Sequence, residues 1–142
     1  MKVLECSSAG DKRFSAFYAS VNAFGKNASI EEHYQLSKRF GERVPRTIKE
    51  AKGKKPTHIE LNGKSYPLEF LSQWYKLLWL KYLDCHPDLV KYASQFDIFT
   101  DKFRGKAVNC QADVIKQYVK NGRDSLLEEC IELIELMSKD KK

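Results

Sequence analysis

Between Pro67 and Leu83 the apolar residues Leu68, Leu71, Trp74, Leu78 and Tyr82 recur at helical spacing, and Tyr75, Leu77 and Trp79 widen that stripe around most of the circumference. A helix apolar on so many sides cannot rest on a surface, so the remaining chain has to wrap it. Its tryptophans are read as core, with ligand stacking by Trp74 or Trp79 as the alternative. A chain of 142 residues supplies enough material for that core without disulfide or metal staples. A hydrophobic content of 42% excludes a disordered chain. There is no apolar run of membrane-spanning length and no apolar signal core behind Met1, so the sequence reads as a cytoplasmic chain with no membrane contact.

The elements around this helix are short. Lys2 to Cys6 alternates like a strand, and Ser7 to Arg13 is turn-rich. Phe14 to Val21 fits either a strand or an irregular aromatic segment, and Asn22 to Asn27 reads as a loop. Arg46 to Lys52 predicts a short basic helix. His58 to Tyr66 alternates about Asn62-Gly63 and predicts a β-hairpin. Pro87 suits the first turn of a helix running to Phe96. Asp97 to Lys106 reads as a loop, Ala107 to Cys110 as a short strand, and Gln111 to Asn121 as a helix stopped by Gly122. Ser125 to Glu128 has capping-box spacing before a final helix whose face carries Leu127, Cys130, Ile131, Ile134 and Met137. The expected fold is α+β: a single helix-rich domain over residues 1–138 with a small β-sheet or hairpin, then a polar tail at 139–142.

The stretch Ser29-Ile30-Glu31-Glu32-His33-Tyr34-Gln35-Leu36-Ser37-Lys38 carries more chemistry than its neighbours. Ser29 can cap the Glu32 N–H while the Glu32 carboxylate returns to Ser29. Glu31, Gln35 and Lys38 then fall at i, i+4 and i+7, on one helical stripe at the border of the apolar face. The plain alternative is an amphipathic helix with a solvated charge pair.

Net charge is +6, and its distribution matters more than its size. Lys38, Arg39, Arg43, Arg46, Lys49, Lys52, Lys54 and Lys55 face only Glu42 and Glu50 over the same span. This cluster is a candidate DNA contact, or else a solvated basic face. The four cysteines, Cys6, Cys85, Cys110 and Cys130, lack CxxC spacing, and only three histidines accompany them. No metal site and no cofactor is expected. Glycine-rich phosphate loops, GxSxG and HExxH are absent. What remains is a set of acids near aromatic residues, Glu31, Asp97 and Asp101. That composition suits acid–base work on a sugar–base bond, and equally suits solvated loop acids.

The Ser29–Lys38 stretch resembles the signature helix of the NADAR family: a small residue, a Glu, an aromatic pair, then Gln and Lys four and seven residues after that Glu. Other blocks follow in the family's order. Arg13-Phe14-Ser15-Ala16-Phe17-Tyr18 is similar to its Phe-Ser-Asn-Phe-Tyr stretch, with Ala16 in place of Asn. Ile48 to Gly53 resembles its short helix ending in Ala-Lys and Gly. Leu77 to Tyr82 with His86 to Leu89 resembles its Lys-Phe and Pro-(Glu/Asp)-Leu turn. The last block departs, with no Trp-Gly after Asp97 or Asp101 and only Gly105 and Asn109 echoing the pattern. Phe103 to Ile115 also resembles the ending of another small phage and bacterial domain.

The resemblance implies an N-glycosidase acting on a nucleotide-type substrate, because NADAR proteins cleave N-glycosidic bonds in riboflavin intermediates or in ADP-ribosylated guanine of DNA. It places Glu31 as the catalytic carboxylate, with Asp97 or Asp101 sharing acid–base work or binding ribose. Arg13 or Lys38 would hold phosphate and Phe17 or Tyr18 would stack on a base, with Gln35 and Asn109 completing the substrate contacts. The implied partner is a nucleotide-like small molecule or ADP-ribosylated nucleic acid. The alternatives are a catalytically degenerate protein that sequesters a nucleotide or NAD derivative, and a basic nucleic-acid-binding adaptor.

Overall fold

The computed structural model describes residues 1–103 and 110–139. Gly105, Asn109, most of the strand expected at 107–110 and the tail beyond Lys139 lie outside these residues. The architecture is α+β. The central helix α3 (Leu71–Asp84) follows a 3-10 turn at Leu68–Phe70 and buries Trp74, Tyr75, Leu77, Leu78, Trp79, Leu80, Tyr82 and Leu83. Both tryptophans are core: Trp74 lies under the ring of Phe24 at 5.7 Å, and Trp79 is fully buried. Burying one large side chain of this kind contributes about 1.5–3 kcal/mol, which is why this helix sets the positions of its neighbours.

Among the described residues there are three small sheets. Strand β1 (Val3–Glu5) pairs in parallel with β7 (Ile98–Thr100). Strands β2 (Ser20–Ala23) and β3 (Lys26–Ser29) form one hairpin, and β4 (Lys38–Arg39), β5 (His58–Leu61) and β6 (Lys64–Pro67) form a three-stranded antiparallel sheet. The expected Asn62-Gly63 hairpin is present, with both residues at positive φ, as a two-residue turn of the I′ type requires. The loop expected at 22–27 is a second hairpin. Its turn residues Phe24 (φ 54) and Gly25 (φ 82) adopt the same left-handed geometry, and the Phe24 ring is held by stacking on Trp74. The loop expected over 97–106 likewise contains β7, which its parallel partner supplies from 95 residues away.

The helices are α1 (Ile30–Leu36), α2 (Ile48–Ala51), α3, α4 (Pro87–Ala93), α5 (Gln111–Lys116), α6 (Arg123–Glu128) and α7 (Ile131–Lys139). Helix α2 begins with a complete capping box, Thr47 with Glu50. The box expected at Ser125 does not form: α6 starts at Arg123 after Gly122 (φ 95), so Ser125 lies inside the helix. The expected last helix is divided into α6 and α7, and Cys130 at the break buries its thiol toward the Gln73 carbonyl. Helix α5 continues through a π turn at Gln117–Asn121 before Gly122.

At the far end of β1 the chain doubles back tightly. A Cβ on Gly10 would stand 2.2 Å from the Glu5 carbonyl oxygen, so only glycine allows the approach. Among the described residues no helix is long and apolar enough to cross a membrane.

Candidate functional site

Helix α1 ends sooner than its stripe suggests. Ser29 accepts the Glu32 N–H at 3.0 Å, as expected. The Glu32 carboxylate does not return to Ser29, whose backbone belongs to the β2–β3 ladder, and pairs with Lys26 at 3.3 Å. The helix closes at Leu36 with the Arg39 guanidinium on the Leu36 and Lys38 carbonyls, both at 2.8 Å. Lys38 therefore stands on β4, opposite Ile59, and not on the helix.

The result is a buried group in place of a solvated charge pair. Glu31 is 8% exposed, Gln35 5% and Lys38 6%. Gln35 Nε2 donates to Glu31 Oε1 at 2.8 Å, while Gln35 Oε1 is buried with no hydrogen-bond partner. The Lys38 ammonium sits 5.1 Å over the Tyr34 ring and forms no ion pair with Glu31 within 4 Å. Burial pushes the Lys38 amine below its ordinary range, and the nearby Glu31 charge offsets only part of that shift. Tyr75 of α3 packs edge-on against Tyr34 at 5.0 Å. Its hydroxyl is pushed up by burial and, further, by the charge of Glu31.

The N-terminus of α1 is pinned by the aromatic segment before it. Glu31 N–H donates to the Ala16 carbonyl at 3.0 Å and Ile30 N–H to the Ala19 carbonyl at 2.9 Å. This places Phe17 and Tyr18 beside the start of α1, both exposed, with the Lys52 and Lys12 ammonium groups each 4.9 Å over the respective ring. Ala16 also connects to the second acid. Its N–H donates to Gln111 Oε1 at 2.7 Å, and Gln111 Nε2 donates to Asp101 Oδ2 at 2.9 Å. The Ala16 backbone and the Gln111 side chain thus join the backbone of Glu31 to the Asp101 carboxylate.

The other candidates stand apart from this group. Asp97 is exposed, and its carboxylate accepts the Lys2 N–H at 3.1 Å at the entry to β1. Arg13 is held by Asp11 through Nε and Nη2 at 3.0 and 2.7 Å and lies over Tyr92. The basic cluster divides: Lys38 is buried, Arg39 pairs with Glu60 at 3.2 Å and Arg43 with Glu50 at 3.8 Å. Arg46, Lys49, Lys52, Lys54 and Lys55 remain exposed.

Gln111 and Tyr75 had no signal in the sequence. A glutamine at the start of a helix and a tyrosine on a core stripe are ordinary, and only the fold sets them beside Asp101 and Glu31. A separate cleft of about 120 Å³ lies on the other side of α1, between the two hairpins, with His33, Trp74 and Leu61 in its walls. Glu31, Gln35 and Lys38 do not line it. Among the described residues no group of three or more His, Cys, Asp or Glu side chains is placed to hold a metal ion.

A family model described as DarT1-associated NADAR antitoxin matches residues 1–141. No curated protein matches the chain.

Proposed function

The chain belongs to the DarT1-associated NADAR antitoxin family, and from that premise we propose that it removes ADP-ribose from modified nucleic-acid bases by cleaving the N-glycosidic bond. The observation that carries this reading is the Glu31 carboxylate, buried on α1, oriented by Gln35 and set near a buried ammonium. A carboxylate held this way stabilises the positive charge that develops at the anomeric carbon as the bond to the base breaks. It also takes a proton from the incoming water as the new C–O bond forms and passes that proton to the departing base, which leaves with the bonding pair.

Asp101 is the second acid of this mechanism. Gln111 fixes one of its oxygens and the Phe103 N–H holds the other at 3.1 Å, so it is positioned for ribose hydroxyls or for proton transfer. Asp97 has no part in it, because its carboxylate serves the β1 edge. Lys38 supplies the positive charge for the diphosphate, whereas Arg13 is committed to Asp11. Phe17 or Tyr18 offers a flat face to the base.

The test is incubation of the purified protein with DNA carrying ADP-ribosylated guanine. The expected result is release of ADP-ribose at a rate that falls about a hundredfold or more in Glu31→Gln, the usual scale for a general acid–base group. Release unchanged by that substitution overturns the assignment.

A further inference from the structure

The cleft of about 120 Å³ between the two hairpins has no part in the proposed catalysis, and its walls are rich in hydrogen-bond acceptors. His33 Nε2 lies 2.9 Å from the Val21 carbonyl oxygen. A carbonyl only accepts, so in the neutral ring Nε2 carries the proton and Nδ1 is left as an acceptor. Ser37 Oγ donates to the Tyr34 carbonyl at 2.7 Å, which leaves it lone pairs alone. Two carboxylates complete the set. Glu32 gives Oε2 to Lys26 at 3.3 Å, and Glu60 gives Oε2 to Arg39 at 3.2 Å. Among the described residues neither Oε1 has a hydrogen bond or an ion pair. Lys26 is the one lysine or arginine among the described lining residues, and its charge is spent on Glu32.

An aromatic ring joins these acceptors. Phe24 stacks on Trp74 yet keeps half its surface exposed, and it also lines the cleft. Its φ of 54 strains an L side chain, where glycine or asparagine would sit more cheaply. We propose that this cleft binds a guanidinium group, either of a free alkylguanidine or of an arginine side chain. A guanidinium has five N–H donors and accepts nothing, so it answers walls made of acceptors. Its flat face lies on an aromatic ring while its edge donates to carboxylates. An ammonium has no plane to lay on the ring and holds its water more tightly, and an anion would meet two carboxylates. Glu31, Gln35 and Lys38 do not line the cleft, so guanidinium binding there is independent of the glycosidase reading.

The experiment is an NMR titration of the protein, isotope-labelled at tryptophan, with agmatine and with a blocked Gly-Arg-Gly peptide. Trp74 lines the cleft and Trp79 is buried outside it, so the Trp74 indole N–H should shift saturably while that of Trp79 stays in place. Glu32→Gln should weaken binding about tenfold, the loss of one charge-assisted hydrogen bond. Its thermal melting should match the parent, because the Ser29 cap takes the Glu32 backbone N–H, which glutamine keeps. Phe24→Gly, whose backbone suits the positive φ, should weaken binding about two- to fivefold through the lost ring. No saturable shift with either probe overturns the site, as does unchanged affinity in Glu32→Gln. Pentylamine bound as tightly as agmatine overturns the choice of guanidinium. Peptide binding at least as tight as that of agmatine assigns the cleft to an arginine of a partner protein, and weaker peptide binding assigns it to a free alkylguanidine.

Discussion

Gln35 Nε2 lies 2.8 Å from Glu31 Oε1, one helical turn away, and both side chains are closed off from solvent. Because the amide nitrogen is committed to the carboxylate, the amide oxygen is left buried with no donor among the described residues. Buried acceptors rarely stay unpaired, and in the proposed mechanism this one accepts from a substrate hydroxyl.

Gln35→Met tests that relationship, since it keeps the length of the side chain and removes both polar ends. A hydrogen bond to a buried charge contributes about 1.5–3 kcal/mol, so ADP-ribose release should slow by roughly tenfold to a hundredfold. Stability should fall as well, because buried Glu31 Oε1 loses its donor, and removal of the unpaired amide oxygen offsets only part of that loss. Single-turnover release and urea unfolding separate the two effects, and an unchanged release rate removes Gln35 from the mechanism.

Lys38 offers a different signature. Its amine is buried and pushed down by desolvation, and among the described residues it has no ion pair within 4 Å. Exchanging the buried cation for an apolar side chain of similar length relieves its desolvation but removes the charge beside buried Glu31, so Lys38→Met should fold about as stably as the parent. The same variant should lose most of its ADP-ribose release through a raised KM, because the diphosphate loses its counter-charge. Equal KM in variant and parent would exclude that role.

Acid stability should report on Glu5. Burial raises this carboxyl, but hydrogen bonds from Ser7, from the Lys102 N–H at 2.9 Å and from the Thr100 hydroxyl at 2.8 Å outweigh it and hold the group down at about 2. The folded value lies below the ordinary 4.5, so the stabilisation is complete above about pH 4.5 and is lost as pH falls toward 2. Urea midpoints taken between pH 5 and pH 2.5 should fall more steeply for the parent than for Glu5→Gln. Parallel curves would show that Glu5 does not carry the tie between β1 and the segment after β7.

How much of this was legible in the sequence varies by residue. Asn62-Gly63 announced its hairpin because both residue types accept positive φ cheaply. Phe24-Gly25 did not, because an aromatic residue at φ 54 is stable only with Trp74 beneath it. The spacing of Glu31 and Gln35 put them together correctly, since one helical turn is a local distance. Lys38 was placed on the same stripe and lies instead on β4, because Arg39 and the pairing with Ile59 end the helix first. Asp97 and Asp101 looked equivalent as loop acids, and their hydrogen-bond partners, Lys2 and Gln111, are what separate them.

By itself the sequence determined the central helix, the α+β class, the cap at Ser29, the Asn-Gly hairpin and the family resemblance of the Glu31 helix, all of which follow from periodicity, turn chemistry or motif order within a few residues. The tertiary structure alone decided that Glu31, Gln35 and Lys38 are buried together, that Asp101 is tied to Glu31 through Gln111 and Ala16, and that Phe17 and Tyr18 face solvent beneath lysines. Those facts depend on contacts between residues as many as 95 positions apart, and local pattern carries no information about which distant side chain will close a hydrogen bond.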